Sequence, residues 1–275
     1  FFLLIVMVLY FVGLGLGDET DITVKGLEVV KSCDAIYLES YTSILGIPKE
    51  RLEKFYGKEV IEADRDLVEQ GCDEMIEAAK SKKVAFLVVG DVFGATTHTD
   101  LWLRCKNDNV DVQVIHNASI MNAVACTGLQ LYHFGETVSI VFFTDTWRPD
   151  SFYDRVKVNR QNGQHTLCLL DIKVKEQSEA NLLRGRQIYE PPRYMTVNQC
   201  IEQLLEVEEK RQEGAYTPET PCFGVARVGQ STQKIVSGPM AALKDIDFGP
   251  PLHSVVIAGN MHPLEEEMYA YYKTN

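Results

Sequence analysis

The sequence predicts an α/β protein built from two α/β domains, and three observations point to it. Residues 84–89 form an unbroken apolar run that stops at Gly90-Asp91, as in a strand buried on both faces of a parallel sheet. Strand-like and helix-like segments alternate from Val8 to Ile115, the pattern of βα units. A second such series begins after the stretch 117–136, so the best cut gives an N-terminal domain at 7–120 and a C-terminal one at 121–275.

Length and composition set the outer bounds. The 275 residues suffice for one large or two modest domains, and 45% hydrophobic with 24% charged is ordinary for a globular chain. A net charge of −12 speaks against general nucleic-acid affinity, which needs clustered Lys and Arg. Seven scattered cysteines, with no Cys-x-x-Cys pair, make a disulfide framework or a zinc site a poor fit. Reduced thiols in a cytoplasmic protein fit better. Residues 1–16 are almost wholly apolar, yet Gly13, Gly15, Gly17 and Asp18 end the run short of the ~20 residues a membrane span wants. No basic region precedes it, as a signal peptide would require. Residues 1–6 read as an extension ahead of a natural start at Met7.

Residues 8–12 read as the first strand, followed by Gly13-Leu-Gly-Leu-Gly-Asp18 and a helix capped by Asp21. A dinucleotide fingerprint fails here, because its third glycine position is Asp18 and an acid would repel a pyrophosphate. Glu39, at the distance of a ribose-binding acid, loses its meaning with it. Residues 35–38 read as a strand, 67–79 as one helix with apolar residues at helical spacing, 99–105 as a helix and 110–115 as a strand. In the second half, 137–143, 166–170, 222–228, 234–236 and 254–258 read as strands. Helices are expected at 151–158, from a Thr196 cap towards Arg211, and at 261–272.

The ligand-binding candidates follow strand ends. After the run at 84–89, the loop Gly90-Asp-Val-Phe-Gly-Ala-Thr-Thr-His98 lets a ligand approach the backbone closely, with Asp91 placed to accept hydrogen bonds from it. Such loops face the crevice where open α/β sheets bind ligands. Next, His116-Asn-Ala-Ser-Ile-Met-Asn122 follows a strand directly. Ser119 is a good N-cap there, for a helix running through Met121 to Cys126. His116 reads as a histidine hydrogen-bonded at a strand end, since nothing near it has nucleophile or metal-ligand spacing. Trp147, in a polar loop with Arg148, reads either as a protein-recognition residue or as core packing.

Taken together, these blocks carry a resemblance. The glycine-rich stretch 9–18, the loop 90–98, the segment 116–122, Asn159-Arg-Gln-Asn-Gly163, Leu169-Leu-Asp-Ile-Lys-Val-Lys-Glu176 and Tyr189-Glu-Pro-Pro-Arg-Tyr-Met195 closely resemble the diphthine synthases. These are the diphthamide-biosynthesis methyltransferases of the tetrapyrrole-methylase-like class (class III methyltransferases), and the match runs from Met7 almost to the end. The 144–190 section looks like the eukaryotic form. The resemblance implies two α/β domains with S-adenosylmethionine in the inter-domain cleft and S-adenosylhomocysteine as product. It implies a homodimer that acts in the cytoplasm, with no membrane or nucleic-acid partner. Carried over position by position, Leu16, Asp91, Gly94, Ser119, Ile120, Leu170, Val228 and His253 would bind the donor, and no metal is implied. Val92 stands where the family usually has proline, a change in loop stiffness more than in chemistry.

The implied substrate is translation elongation factor 2 carrying a 3-amino-3-carboxypropyl histidine, methylated repeatedly to diphthine methyl ester. No catalytic residue is assigned; Asp91, His98, Asp145 and His253 are candidate proton acceptors, each with a plain structural alternative. Two other readings stand beside this one: a methyltransferase acting on a small tetrapyrrole, and a module that binds the donor without turnover.

Overall fold

The computed structural model describes residues 8–69, 71–177, 181 and 183–273; the extension read at residues 1–6 lies outside them. The chain divides into two compact units, residues 1–123 with 229–231 and residues 124–228 with 232–275.

The first unit holds strands β1 (Val8–Gly13), β2 (Ala35–Glu39), β3 (Ile61–Ala63), β4 (Lys83–Val88) and β5 (Asp111–Ile115). Their order is β3-β2-β4-β1-β5, and every pair is parallel. Position explains sequence. Central β4 is buried from Val84 to Val88, whereas edge strand β5 exposes Asp111 and Gln113. Helices α1 (Val24–Ser32), α2 (Lys49–Tyr56), α3 (Arg65–Glu69), α4 (Asp73–Ala79), α5 (Thr99–Asn107) and α6 (Ile120–Ala123) connect them. Val30, Leu52 and Tyr56 pack with Val12, Ile36 and Leu87 in one core.

Two expectations for this unit are corrected. Thr23, not Asp21, caps α1, its Oγ1 accepting the Gly26 N–H at 3.0 Å. Asp21 is engaged elsewhere, accepting the Gly17 N–H at 2.7 Å. The single helix expected at 67–79 is two, α3 and α4. The Gly71 N–H turns back to Asp66 O at 2.9 Å and ends the first, a helix-closing use of glycine.

The second unit holds β6 (Val138–Ile140), α7 (Ser151–Gln161), β7 (Thr166–Leu170), the hairpin β8 (Ile172–Lys173) and β9 (Arg193–Tyr194), and α8 (Val197–Arg211). After these come β10 (Pro221–Ala226), β11 (Lys234–Pro239), α9 (Met240–Leu243), β12 (His253–Ile257) and α10 (Pro263–Tyr272). Its sheet runs β11-β10-β12-β7-β6. Only β6 and β7 pair in parallel; the other three pairs are antiparallel. The connection at 227–233 is too short for a parallel crossover, which takes a dozen residues or more. A full capping box at Thr196 and Gln199 starts α8. Cys200, Leu204 and Val207 of that helix pack with Tyr153, Tyr216 and Phe248.

Candidate functional site

Strand order decides where the first unit can receive a ligand. From β1 the chain passes β4 to reach β2, and from β4 it passes β1 to reach β5. The connections of these two neighbouring strands therefore run in opposite directions and, with right-handed crossovers, leave to opposite faces of the sheet, which opens a crevice at their carboxyl ends. The loops after β1, β4 and β5 meet there.

Glycine makes that meeting possible. Gly90 donates to Gly15 O at 2.7 Å and Gly15 donates back to Gly90 O at 3.2 Å. Gly90 does so at φ +82°, a region side chains rarely adopt. A Cβ on Gly13 would stand 2.7 Å from Gly90 O and 2.9 Å from Asn117 Cβ. Asn117 then locks the three loops together. Its Nδ2 donates to Gly13 O and Asp21 O, both at 3.0 Å, and its N–H donates to Asp91 Oδ2 at 3.0 Å.

Asp91 is largely spoken for. Besides Asn117, the Phe93 N–H reaches Oδ1 at 3.0 Å and His116 Nδ1 lies 2.9 Å from Oδ2. Partial burial works to raise the carboxyl's pKa, but the two backbone donors and His116 outweigh it and hold it below the usual range. Gly94 sits hard against the start of α6, where a Cβ would meet Ser119 Oγ at 2.5 Å. Ser119 is buried, accepts the Met121 N–H at 3.3 Å, and donates its own N–H to Asn122 Oδ1 at 2.8 Å. Ser119 thus caps as expected, although the helix is α-helical only to Ala123 and continues as a 3-10 turn to Thr127. Ile120, its first residue, is half-buried. Leu16, also half-buried, borders Gly229, whose added Cβ would stand 3.1 Å from Leu16 Cβ. Leu16, Asp91, Gly94, Ser119 and Ile120 all belong to the three loops after β1, β4 and β5.

In the second unit, Leu170 ends β7 opposite Ile140, half-buried at the rim of the core. Val228 lies half-buried in the turn after β10. Buried Arg227 braces that turn, with Nη1 donating to Phe248 O at 2.8 Å and Nε to Thr232 O at 3.1 Å. His253 is buried, and its Nδ1 accepts the Val197 N–H at 3.3 Å. Since a backbone N–H can only donate, Nε2 carries the proton and faces Gly249 O and Pro250 O at 3.1 and 3.0 Å. Burial holds this imidazole below its ordinary pKa, and both nitrogens are occupied.

Residues 8–244 match the family model for tetrapyrrole (corrin/porphyrin) methylases. The chain belongs to that family. Within it, the chain is 62% identical to the diphthine methyl ester synthase of Dictyostelium discoideum over 97% of this chain and 98% of that one. It is 60% identical to the Homo sapiens diphthine methyl ester synthase, over 96% and 94%. An Entamoeba histolytica crystal structure assigned as a diphthine synthase superposes with a TM-score of 0.87 at 52% identity, covering 98% of this chain and 99% of that one.

Elsewhere in this tetrapyrrole methylase, among the described residues, one side-chain cluster has metal-like spacing, namely His133, His165 and Glu265 in the second unit. Its hydrogen bonds speak against an ion. The Gly259 N–H donates to His165 Nδ1 at 2.9 Å, so Nε2 must hold the proton that it directs at Glu265 Oε1, 3.3 Å away. Metal-bound histidines show the reverse, donating from the far nitrogen. Glu265 meanwhile accepts the Gln130 and His262 N–H groups at 2.8 and 2.7 Å. The cluster fastens α10 to its unit.

Sequence reasoning missed Asn117 and Arg227, because their work is done on main-chain carbonyls that no spacing rule reveals. Glu39 likewise has a local task. Buried, it accepts the N–H groups of Tyr41 and Thr42 at 2.9 and 2.6 Å and turns the chain after β2.

Proposed function

We propose that this chain is an S-adenosylmethionine-dependent methyltransferase that makes diphthine methyl ester on translation elongation factor 2. The observation that carries the reading is identity near 60% along almost the full length of named diphthine methyl ester synthases. It has two domains divided near residue 123, a little past the expected cut of 7–120 and 121–275, with residues 229–231 joining the first. The first contributes Leu16, Asp91, Gly94, Ser119 and Ile120 to donor binding, and the second contributes Leu170, Val228 and His253. The glycines support this, since Gly13, Gly15 and Gly94 let the three loops pack closer than side chains would allow, and Gly90 takes a backbone conformation that side chains rarely adopt.

The donor supplies a sulfonium methyl that is already activated, so the protein's task is alignment rather than nucleophile activation. Holding two reactants in line can contribute about 7–11 kcal/mol. Asp91, filled by its own loop's donors, acts mainly by fixing main chain around the donor. His253 acts through the α8 start that it caps. The enzyme works in the cytoplasm as a homodimer. Among the described residues no helix is long and apolar enough to cross a membrane.

Incubation with labelled donor and elongation factor purified from cells lacking this enzyme tests the reading. Mass spectrometry of the modified histidine should show four added methyl groups. An unmodified histidine would refute the reading, and three methyls would correct the product to the trimethylated acid.

A further inference from the structure

We propose that His116 Nε2 is the proton acceptor for the amine-methylation steps, held in its working tautomer by Asp91. This rests on the function proposed above. Methylating an ammonium group requires that it first lose a proton, whereas a carboxylate attacks as it stands. The chain therefore needs a base for part of its reaction sequence and none for the rest.

The four candidates read from sequence do not supply it. Asp91 already receives three donors. Both ring nitrogens of His253 are engaged. His98 is buried at 1% exposure between Phe86 and Tyr41, out of a substrate's reach. Asp145 is exposed in the 144–147 turn, which is none of the three loops after β1, β4 and β5.

His116 has the geometry they lack. It follows β5 at the crevice where the three loops meet, and its side chain is 68% exposed. Nδ1 lies 2.9 Å from Asp91 Oδ2. An ionised carboxylate only accepts, so Nδ1 carries the proton and Nε2 presents a lone pair outwards. This is the base-and-orienter arrangement of general-base sites. The Phe93 ring, centroid 6.3 Å away, borders the imidazole. Asp91 is the charged group facing it. Asp21, on the far side of Asn117, is bound to the Gly17 N–H.

The step balances. Nε2 takes a proton from the substrate ammonium, and the freed lone pair forms the new N–C bond as the donor's S–C bond breaks, its electron pair staying on sulfur. The imidazolium then releases its proton to solvent. The cycle serves three amine methylations, and the final O-methylation bypasses it.

His116→Asn separates these steps, because the amide N–H can still meet Asp91 while the basic nitrogen is gone. Two substrates are needed: factor bearing the unmethylated appendage, and wild-type product saponified back to the trimethylated acid. Amine methylation near neutral pH should fall about 10²-fold or more and recover as pH rises. Esterification of the saponified factor and affinity for S-adenosylhomocysteine should match wild type. Wild-type amine methylation would overturn the proposal, and so would an equal loss in both steps. Loss of S-adenosylhomocysteine binding in both His116→Asn and His116→Gln would overturn it too, making the residue a loop support. Should the wild-type enzyme leave the factor unmodified, the functional reading itself falls.

Discussion

Gly94→Ala probes the contact on which the proposed donor site turns. The added Cβ would stand 2.7 Å from Ser119 Cβ and 2.5 Å from its Oγ, against about 3.5–4.0 Å for comfortable carbon contact. The hydroxyl can rotate away, but Ser119 Cβ cannot, because the residue's N–H is bonded to Asn122 Oδ1. Gly94 lies outside the left-handed region, so the cost is purely steric. Overpacking of this kind costs roughly 1–3 kcal/mol. Ser119→Gly removes the obstacle, and replacing an N-cap serine by glycine costs only a few tenths of a kcal/mol. The pair should therefore couple by about 1 kcal/mol or more. Urea denaturation of the four members of the cycle measures that coupling. Calorimetry with S-adenosylhomocysteine should show Gly94→Ala binding about tenfold or more weaker, with much of the loss restored in the double variant. Additive stabilities together with unchanged affinity would refute the packing argument.

Three more outcomes are expected. Among the described residues the buried ring nitrogens of His98 have no partner, and burial pushes its pKa down to about 4. The unfolded chain then binds the proton first, so this residue's share of stability is present above about pH 6.5 and lost as pH falls towards 4, roughly 3 kcal/mol in all. His98→Phe should raise stability at pH 7 by about 1–3 kcal/mol and flatten that acid limb; urea midpoints at pH 7 and 4.5, taken as differences from wild type, check both. Asp91→Ala should weaken S-adenosylhomocysteine binding about tenfold or more by releasing the Phe93 and Asn117 N–H groups, and unchanged affinity by calorimetry would remove Asp91 from the proposed donor site. Trp147 is 54% exposed, so Trp147→Ala should leave the melting curve unmoved while slowing methylation of the factor; equal loss of stability would return it to packing.

The parallel unit was readable because its strands are short apolar runs and its turns are glycines. At β4 the run from Val84 ends where burial ends, and Gly90 sits where φ turns positive. The second unit was less readable. The five strands of its main sheet were found, though not the two-residue strands of the β8–β9 hairpin, but antiparallel pairing depends on connection length and on which edge a strand joins, and neither leaves a periodic trace. Strand β3 and helix α2 went unread because Ile61–Ala63 is three residues long and Lys49–Tyr56 starts at Pro48 with no side-chain cap. The break at Gly71 was missed because apolar spacing continued in phase across it.

The site divides along a similar line. Asp91, Gly94 and Ser119 stand out in sequence because glycines and caps have local signatures, and the structure gathers them within one set of loops. What the loops do there depends on partners distant in the chain. Asn117 reaches Gly13, 104 residues away in sequence, and the carboxylate that looked ready for a ligand turns out to hold His116 in one tautomer. Sequence spacing made His116 look like a bystander because its orienting group lies 25 residues upstream, on a strand separated from its own by β1. A transferase whose methyl group arrives already activated has little need of a nucleophile cluster, so its chemistry rests on groups of this kind. They are ordinary in sequence, and the sheet that carries them decides which ones face the crevice.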